Sequence, residues 1–139
     1  ITPGSTRLLP LQQILTLMIK ICNTVKFAHE QGILSRDIKP SNVMIRFDGE
    51  PILLDFGVAR SKHNEDITLT HTDQLCGTLT YMAPEQAADS HNIDERADIY
   101  SLGAVFYELI CGRRHFNPSG IMLRDIEKMQ NLESVPPRR

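Results

Sequence analysis

Two short aliphatic runs, Val43-Met44-Ile45 and Ile52-Leu53-Leu54, flank an Asp48-Gly49 pair. Short β-branched and aliphatic runs closed by a turn dipeptide predict a small hairpin. A hairpin returns the chain to the end it left, so the segments on its two sides share one end. Ser35-Arg36-Asp37-Ile38-Lys39-Pro40-Ser41-Asn42 enters it, and Asp55-Phe56-Gly57 leaves it. Two carboxylates and a carboxamide, Asp37, Asp55 and Asn42, are thereby expected to converge although they are far apart along the chain.

The flanking segments read as helices. Leu11, Ile14, Leu15, Met18, Ile21, Cys22, Val25 and Ala28 recur at three- and four-residue steps, which predicts one apolar helical face. Pro10 suits the first turn and Gly32 ends it. A second amphipathic helix is predicted from about Arg96 to Cys111, with Ala97, Leu102, Val105, Phe106 and Leu109 apolar and Gly112 as its stop. Residues 119–132 make a weaker helix. Residues 58–82 carry no strong periodicity, are rich in Thr, Asp, His and Asn, and read as a long functional loop. Residues 1–9, with Pro3, Gly4 and Ser5, read as a linker, and 10–139 as one partial domain.

Bulk properties narrow the function. At 139 residues with 41% hydrophobic and 23% charged side chains, the chain can bury a core of ordinary composition. A net charge of −2 argues against a nucleic-acid footprint, which would be basic. Cys22, Cys76 and Cys111 are odd in number and show no C-x-x-C spacing, so neither a disulfide framework nor a zinc site is supported. Reduced thiols and a cytoplasmic setting are expected. The apolar stretch Leu8–Cys22 is interrupted by Gln12, Gln13 and Lys20, no small-residue cleavage site comes after it, and no run has the length of a membrane span.

A carboxylate able to accept a hydroxyl proton, upstream of an amide and a second carboxylate able to hold magnesium, is what phosphoryl transfer needs. Ala83-Pro84-Glu85 then completes a set of three motifs in a fixed order. From about Leu11 to Phe116 the chain resembles the catalytic lobe of a eukaryotic-type (Hanks-type) serine/threonine protein kinase. The wording from Gly77 to Ala87 is most similar to the bacterial branch. The resemblance implies an α+β fold: the mainly helical large lobe of a kinase, with a small β-hairpin at the catalytic site. It also implies ATP and Mg2+ as cofactors and protein substrates as partners, with a Ser/Thr hydroxyl as phosphoryl acceptor.

The same resemblance assigns roles. Asp37 is the expected catalytic base, and Lys39 neutralises the transferred phosphate. Asn42 and Asp55 are the expected magnesium ligands, hard oxygens of the kind magnesium prefers. Met44 is expected in the hairpin core, under the adenine ring. Phe56 holds Asp55 from beneath, and Gly57 lets that turn flip. Arg36, with Arg60, implies control by a phosphate on the loop, with Thr70 and Thr72 preferred over Thr68 as acceptors; a solvated polar loop is the alternative. Thr78 is expected to hydrogen-bond toward Asp37 and Lys39. Residues Tyr81 to Glu85 form a substrate-docking loop. Asp98 is expected to be buried and to accept from backbone amides near Ser35 and Arg36.

The sequence also departs from the pattern. Ser35 replaces the histidine that packs in a column with Phe56. No Gly-rich loop and no Val-Ala-Ile-Lys strand precede the first helix, and the sequence opens on Ile1. It therefore reads as a partial kinase domain with the small lobe (N-lobe) absent and the last large-lobe helices missing. The small lobe is then an expected partner, and a membrane anchor elsewhere in the full-length protein stays open. A non-catalytic pseudokinase or interaction module on the same fold, and a small-molecule phosphotransferase, are the competing readings. Losing a large side chain at a packed site typically costs about 2–5 kcal/mol. Ser35→His in the full-length protein is expected to alter stability or switching, read by thermal unfolding and kinase assay; no change in either removes the argument.

Overall fold

The structure is a computed structural model that describes residues 9–54, 77–88, 92–119 and 122–131. Its longest element, α1 (Leu11–Glu30), buries Ile14, Met18, Ile21, Val25 and Ala28, alternating steps of four and three that keep one stripe on the core. That stripe is narrower than the sequence pattern suggested. Leu11, Leu15 and Cys22 are exposed, because they lie at its edges, where no described element covers them. Pro10 opens the helix: its carbonyl accepts from the amides of Gln13 and Ile14 at 2.9 and 3.1 Å. The exit is a Schellman turn. Gly32 takes φ +73°, its amide donates to His29, and the Ile33 amide donates back to Ala28, both at 2.9 Å.

The chain then runs through a 3₁₀ turn (Pro40–Asn42) into the hairpin of β1 (Val43–Ile45) and β2 (Pro51–Leu53). The strands are antiparallel, with Val43 opposite Leu53, Met44 opposite Ile52 and Ile45 opposite Pro51. The second strand starts one residue earlier than the aliphatic run, at Pro51, a first-residue position that tolerates proline. Gly49 closes the turn at φ +80°. Side chains alternate across the pleat. Val43 and Leu53 pack on the core. Met44 and Ile52 take the other face and are 52% and 41% exposed, so Met44 is not the hairpin core residue that the sequence led one to expect.

After the short α2 (Pro84–Ala88) comes α3 (Glu95–Cys111). Asp94 caps it by accepting from the Arg96 amide at 2.9 Å, and Gly112, in the left-handed region at φ +66°, ends it. Ala97, Ser101 and Ala104 are small and buried, which lets α3 approach its neighbours closely. Leu102 and Val105 join Ile14, Met18, Ile21, Val25, Ile38 and Tyr81 in the main core. A second, smaller cluster joins Leu79, Phe116 and Met129 of α4 (Met122–Gln130), a helix shorter than the predicted 119–132. Asp125 is fully buried there, and the amide and hydroxyl of Ser119 both donate to it at 2.6 Å.

Between α1 and α3 lies an apolar groove of about 920 Å³, lined by Leu15, Ile19, Ile99 and Phe106 among others. No described helix is long and apolar enough to cross a membrane.

Ile21 sits at the centre of the main core, 2% exposed. Ile21→Ala is expected to destabilise the fold by about 2–5 kcal/mol. Gly32→Ala, which strains the helix exit alone, is expected to cost about 1–2 kcal/mol. Urea unfolding of both variants checks the order.

Candidate active site

The loop from Ser35 to Asn42 is built around one anchored residue. Ile38 is 2% exposed and belongs to the main core, while Asp37 and Lys39 on either side stay partly open. That alternation places a carboxylate and an ammonium on the same outer side. Lys39 Nζ lies 2.9 Å from Asp37 Oδ2 and donates to Thr78 Oγ1 at 3.1 Å. Thr78 thus reaches Asp37 through the lysine rather than by a direct bond.

Asn42 completes the cluster. Its Nδ2 donates to the Asp37 carbonyl at 2.8 Å and to Asp37 Oδ2 at 3.0 Å. Two acceptors on one side fix which end of the amide carries hydrogens. Oδ1 is left with no partner among the described residues, a neutral hard oxygen suited to magnesium. The hairpin register matters here: Leu54, the residue before Asp55, donates its amide to the Asn42 carbonyl at 2.8 Å. Asp55, Phe56, Gly57, Arg60, Thr68, Thr70 and Thr72 lie outside the described residues.

Behind the loop is Asp98, 1% exposed on the first turns of α3. Its Oδ1 accepts from the Arg36 amide at 2.8 Å, and its Oδ2 from the Ser35 amide at 2.9 Å. His29 Nε2, on the last turn of α1, lies 2.8 Å from the same Oδ2 and donates to it. Arg36 between these bonds holds φ +63°, among described residues the one non-glycine in the left-handed region. Such a conformation persists only where its surroundings over-determine it. The Arg36 side chain makes no ion pair among the described residues.

Tyr81 is placed differently from a docking side chain. It is 6% exposed, its hydroxyl donates to Glu108 Oε2, and its carbonyl accepts from Ser101 Oγ at 2.7 Å. Burial, reinforced by the Glu108 carboxylate, pushes the Tyr81 phenol from its ordinary value near 10 up to about 12. Glu85 is exposed on α2 and makes no salt bridge among the described residues. Ser35 is 5% exposed, held by its amide.

Lys39, Asn42, Thr78, Tyr81, Glu108 and Arg114 line a polar cavity of about 680 Å³. The larger groove between α1 and α3 shares no residue with it; its surface is mainly apolar, with Asn23, Lys26, His29, Glu30 and Glu95 also on the lining. Three contributors escaped sequence reasoning. His29 looked like an ordinary polar residue near a helix end, and Gln86 like the continuation of a motif. Glu108 carried a signal, being the one charged residue between Ile99 and Cys111, on an otherwise uncharged stretch of α3.

A comparison with protein families matches the protein kinase domain over residues 4–138. The chain belongs to the protein kinase domain family. Among curated relatives this kinase domain is 37% identical over 128 residues to "Probable serine/threonine-protein kinase CE0033" of Corynebacterium efficiens, covering 90% of this chain and 19% of that protein. It is 40% identical over 132 residues to "Probable serine/threonine-protein kinase SCO3848" of Streptomyces coelicolor, covering 93% and 19%. The serine/threonine-protein kinase PknB of Mycolicibacterium smegmatis is 33% identical over 131 residues, covering 92% and 20%. The chain thus spans about a fifth of the length of the relatives it matches. The helical architecture with one two-stranded sheet agrees with part of a kinase fold.

The raised Tyr81 pKa favours the neutral phenol in the folded state, so its stabilisation is complete below about pH 10 and is lost as pH rises through about 12. Unfolding measured across that window should show a loss of stability that shrinks in Tyr81→Phe.

Proposed function

We propose that this chain carries the catalytic loop of an ATP-dependent protein serine/threonine kinase. The observation that carries the reading is the Asp37–Lys39–Asn42–Thr78 cluster, in which mutual polar contacts hold four side chains that all stay partly open to solvent. Asp37 is the base that orients a substrate hydroxyl and accepts its proton. Lys39, already beside Asp37 at 2.9 Å, meets the charge on the phosphoryl group as it moves. Asn42 is oriented by the two bonds from its Nδ2, so its oxygen is the atom that would hold a metal ion. Asp55, one peptide beyond Leu54, is the second metal ligand in this reading. Magnesium with ATP supplies the electrophilic phosphoryl group and neutralises its oxygens when bound. Met44 and Ile52 form an exposed apolar shelf, which suits the flat face of an adenine.

Substrate enters beside Thr78 and the segment ending at Glu85, which would make a protein hydroxyl the acceptor. The Arg36 guanidinium, which makes no ion pair among the described residues, fits a regulatory phosphate on Thr70 or Thr72, with Arg60 as a second cation. The sequence in hand contains neither a Gly-rich loop nor a lysine strand, so the chain on its own is expected to turn over little. Protein substrates and the small lobe of the same kinase are its proposed partners.

Asp37→Asn in the full-length protein tests the reading. Phosphoryl transfer should fall about 10²–10⁴-fold, the usual worth of a positioned base, with ATP affinity nearly unchanged. Transfer at the wild-type rate would refute the role of Asp37, whereas a full-length wild type with no transfer would favour a non-catalytic module on this fold.

A further inference from the structure

Gln86 comes directly after the Ala83-Pro84-Glu85 motif on α2, and both ends of its carboxamide are used. It is 7% exposed. Its Oε1 accepts from the Ala83 amide at 3.1 Å, and its Nε2 donates to the Arg36 carbonyl at 2.9 Å, a bond spanning 50 residues of sequence. That carbonyl belongs to the peptide joining Arg36 to Asp37. On the other side of Arg36, the amide is held by Asp98. The left-handed residue is therefore gripped at both of its peptides, from α3 by a carboxylate and from α2 by a carboxamide.

We infer that Gln86 is a positioning residue, which fixes the Arg36–Asp37 peptide and so sets the direction in which Asp37 presents its carboxylate. The inference rests on the reading of Asp37 as the base. The site demands an acceptor for Ala83 and a donor for Arg36 from one side chain, and glutamine supplies both. An ionised glutamate offers acceptors alone and sets a carboxylate against the Arg36 carbonyl. Methionine fills the same space with no comparable bond. Through Gln86, displacement of the segment ending at Ala83-Pro84-Glu85 turns the base, coupling the state of that segment to catalysis.

Gln86→Met and Gln86→Glu in the full-length kinase, assayed beside wild type and Asp37→Asn, test this. Misplacing a catalytic group by about 1 Å can cost about 100-fold, so Gln86→Met should lower kcat about 10-fold or more while KM for ATP moves less than about 3-fold. Gln86→Glu should be equally impaired at about pH 8. Its kcat relative to wild type should rise as the pH falls toward about 6, since burial favours the protonated carboxyl, which again offers both an O–H and a C=O. A space-filling role would leave that ratio flat with pH. A kcat for Gln86→Met within about 2-fold of wild type overturns the inference, as does a flat ratio for Gln86→Glu. If neither variant folds by circular dichroism, the inference also falls, because Gln86 would then serve folding instead of positioning. An inactive wild type defeats the proposed function itself, whereas a wild type that depends on Asp37 and ignores Gln86 defeats this inference alone.

Discussion

One buried carboxylate organises the site. Asp98 takes donors from three places: the imidazole at the end of α1, and the amides of Ser35 and Arg36. A buried charge is tolerated only when its lone pairs are satisfied, and here the chain satisfies them with backbone from the loop that carries Asp37. The same bonds hold Arg36 in a conformation that an isolated peptide would leave. The cost of burying Asp98 and the strain at Arg36 are offset together, and neither feature makes sense without the other.

The rest of the packing keeps that carboxylate in place. Small side chains on α3 let it lie close to its neighbours, and Ser101 uses its hydroxyl on the Tyr81 carbonyl. Tyr81 in turn reaches Glu108, about two turns along the same face of α3 from Ser101. Residues from the segment around Thr78 to Gln86 thus meet the Ser35–Asn42 loop at Lys39 and Arg36, and meet α3 at Ser101. A surface pair such as Lys20 with Glu50 adds a further tie between α1 and the hairpin turn, but exposed pairs of this kind contribute little.

Much of this was legible in the chain. Periodicity located α1 and α3 within a residue or so, because a buried stripe repeats and Gly32 and Gly112 mark where it ends. Asp-Gly marked the hairpin turn. The motif order pointed to the family before any geometry was known. What stayed hidden was tertiary. Nothing local to Leu11, Leu15 or Cys22 tells which edge of an apolar face is left uncovered. The outward turn of Met44 depends on which strand face meets α1. Long-range polar bonds were the least visible: a histidine, a glutamine and a glutamate look ordinary until the fold brings a carboxylate, a carbonyl and a phenol to them.

The hairpin has a consequence for how this chain can change length. Its three paired positions act as a ruler between Asn42 and Leu54, and a slip by one residue would turn Val43 and Leu53 away from the core. The tip, from Arg46 to Glu50, projects Phe47 fully into solvent, and its ion pairs among the described residues are Arg46 with Asp48 and Glu50 with Lys20. Residues gained or lost at that tip leave the ladder intact, while a single addition inside it would shift the register between Asn42 and Leu54.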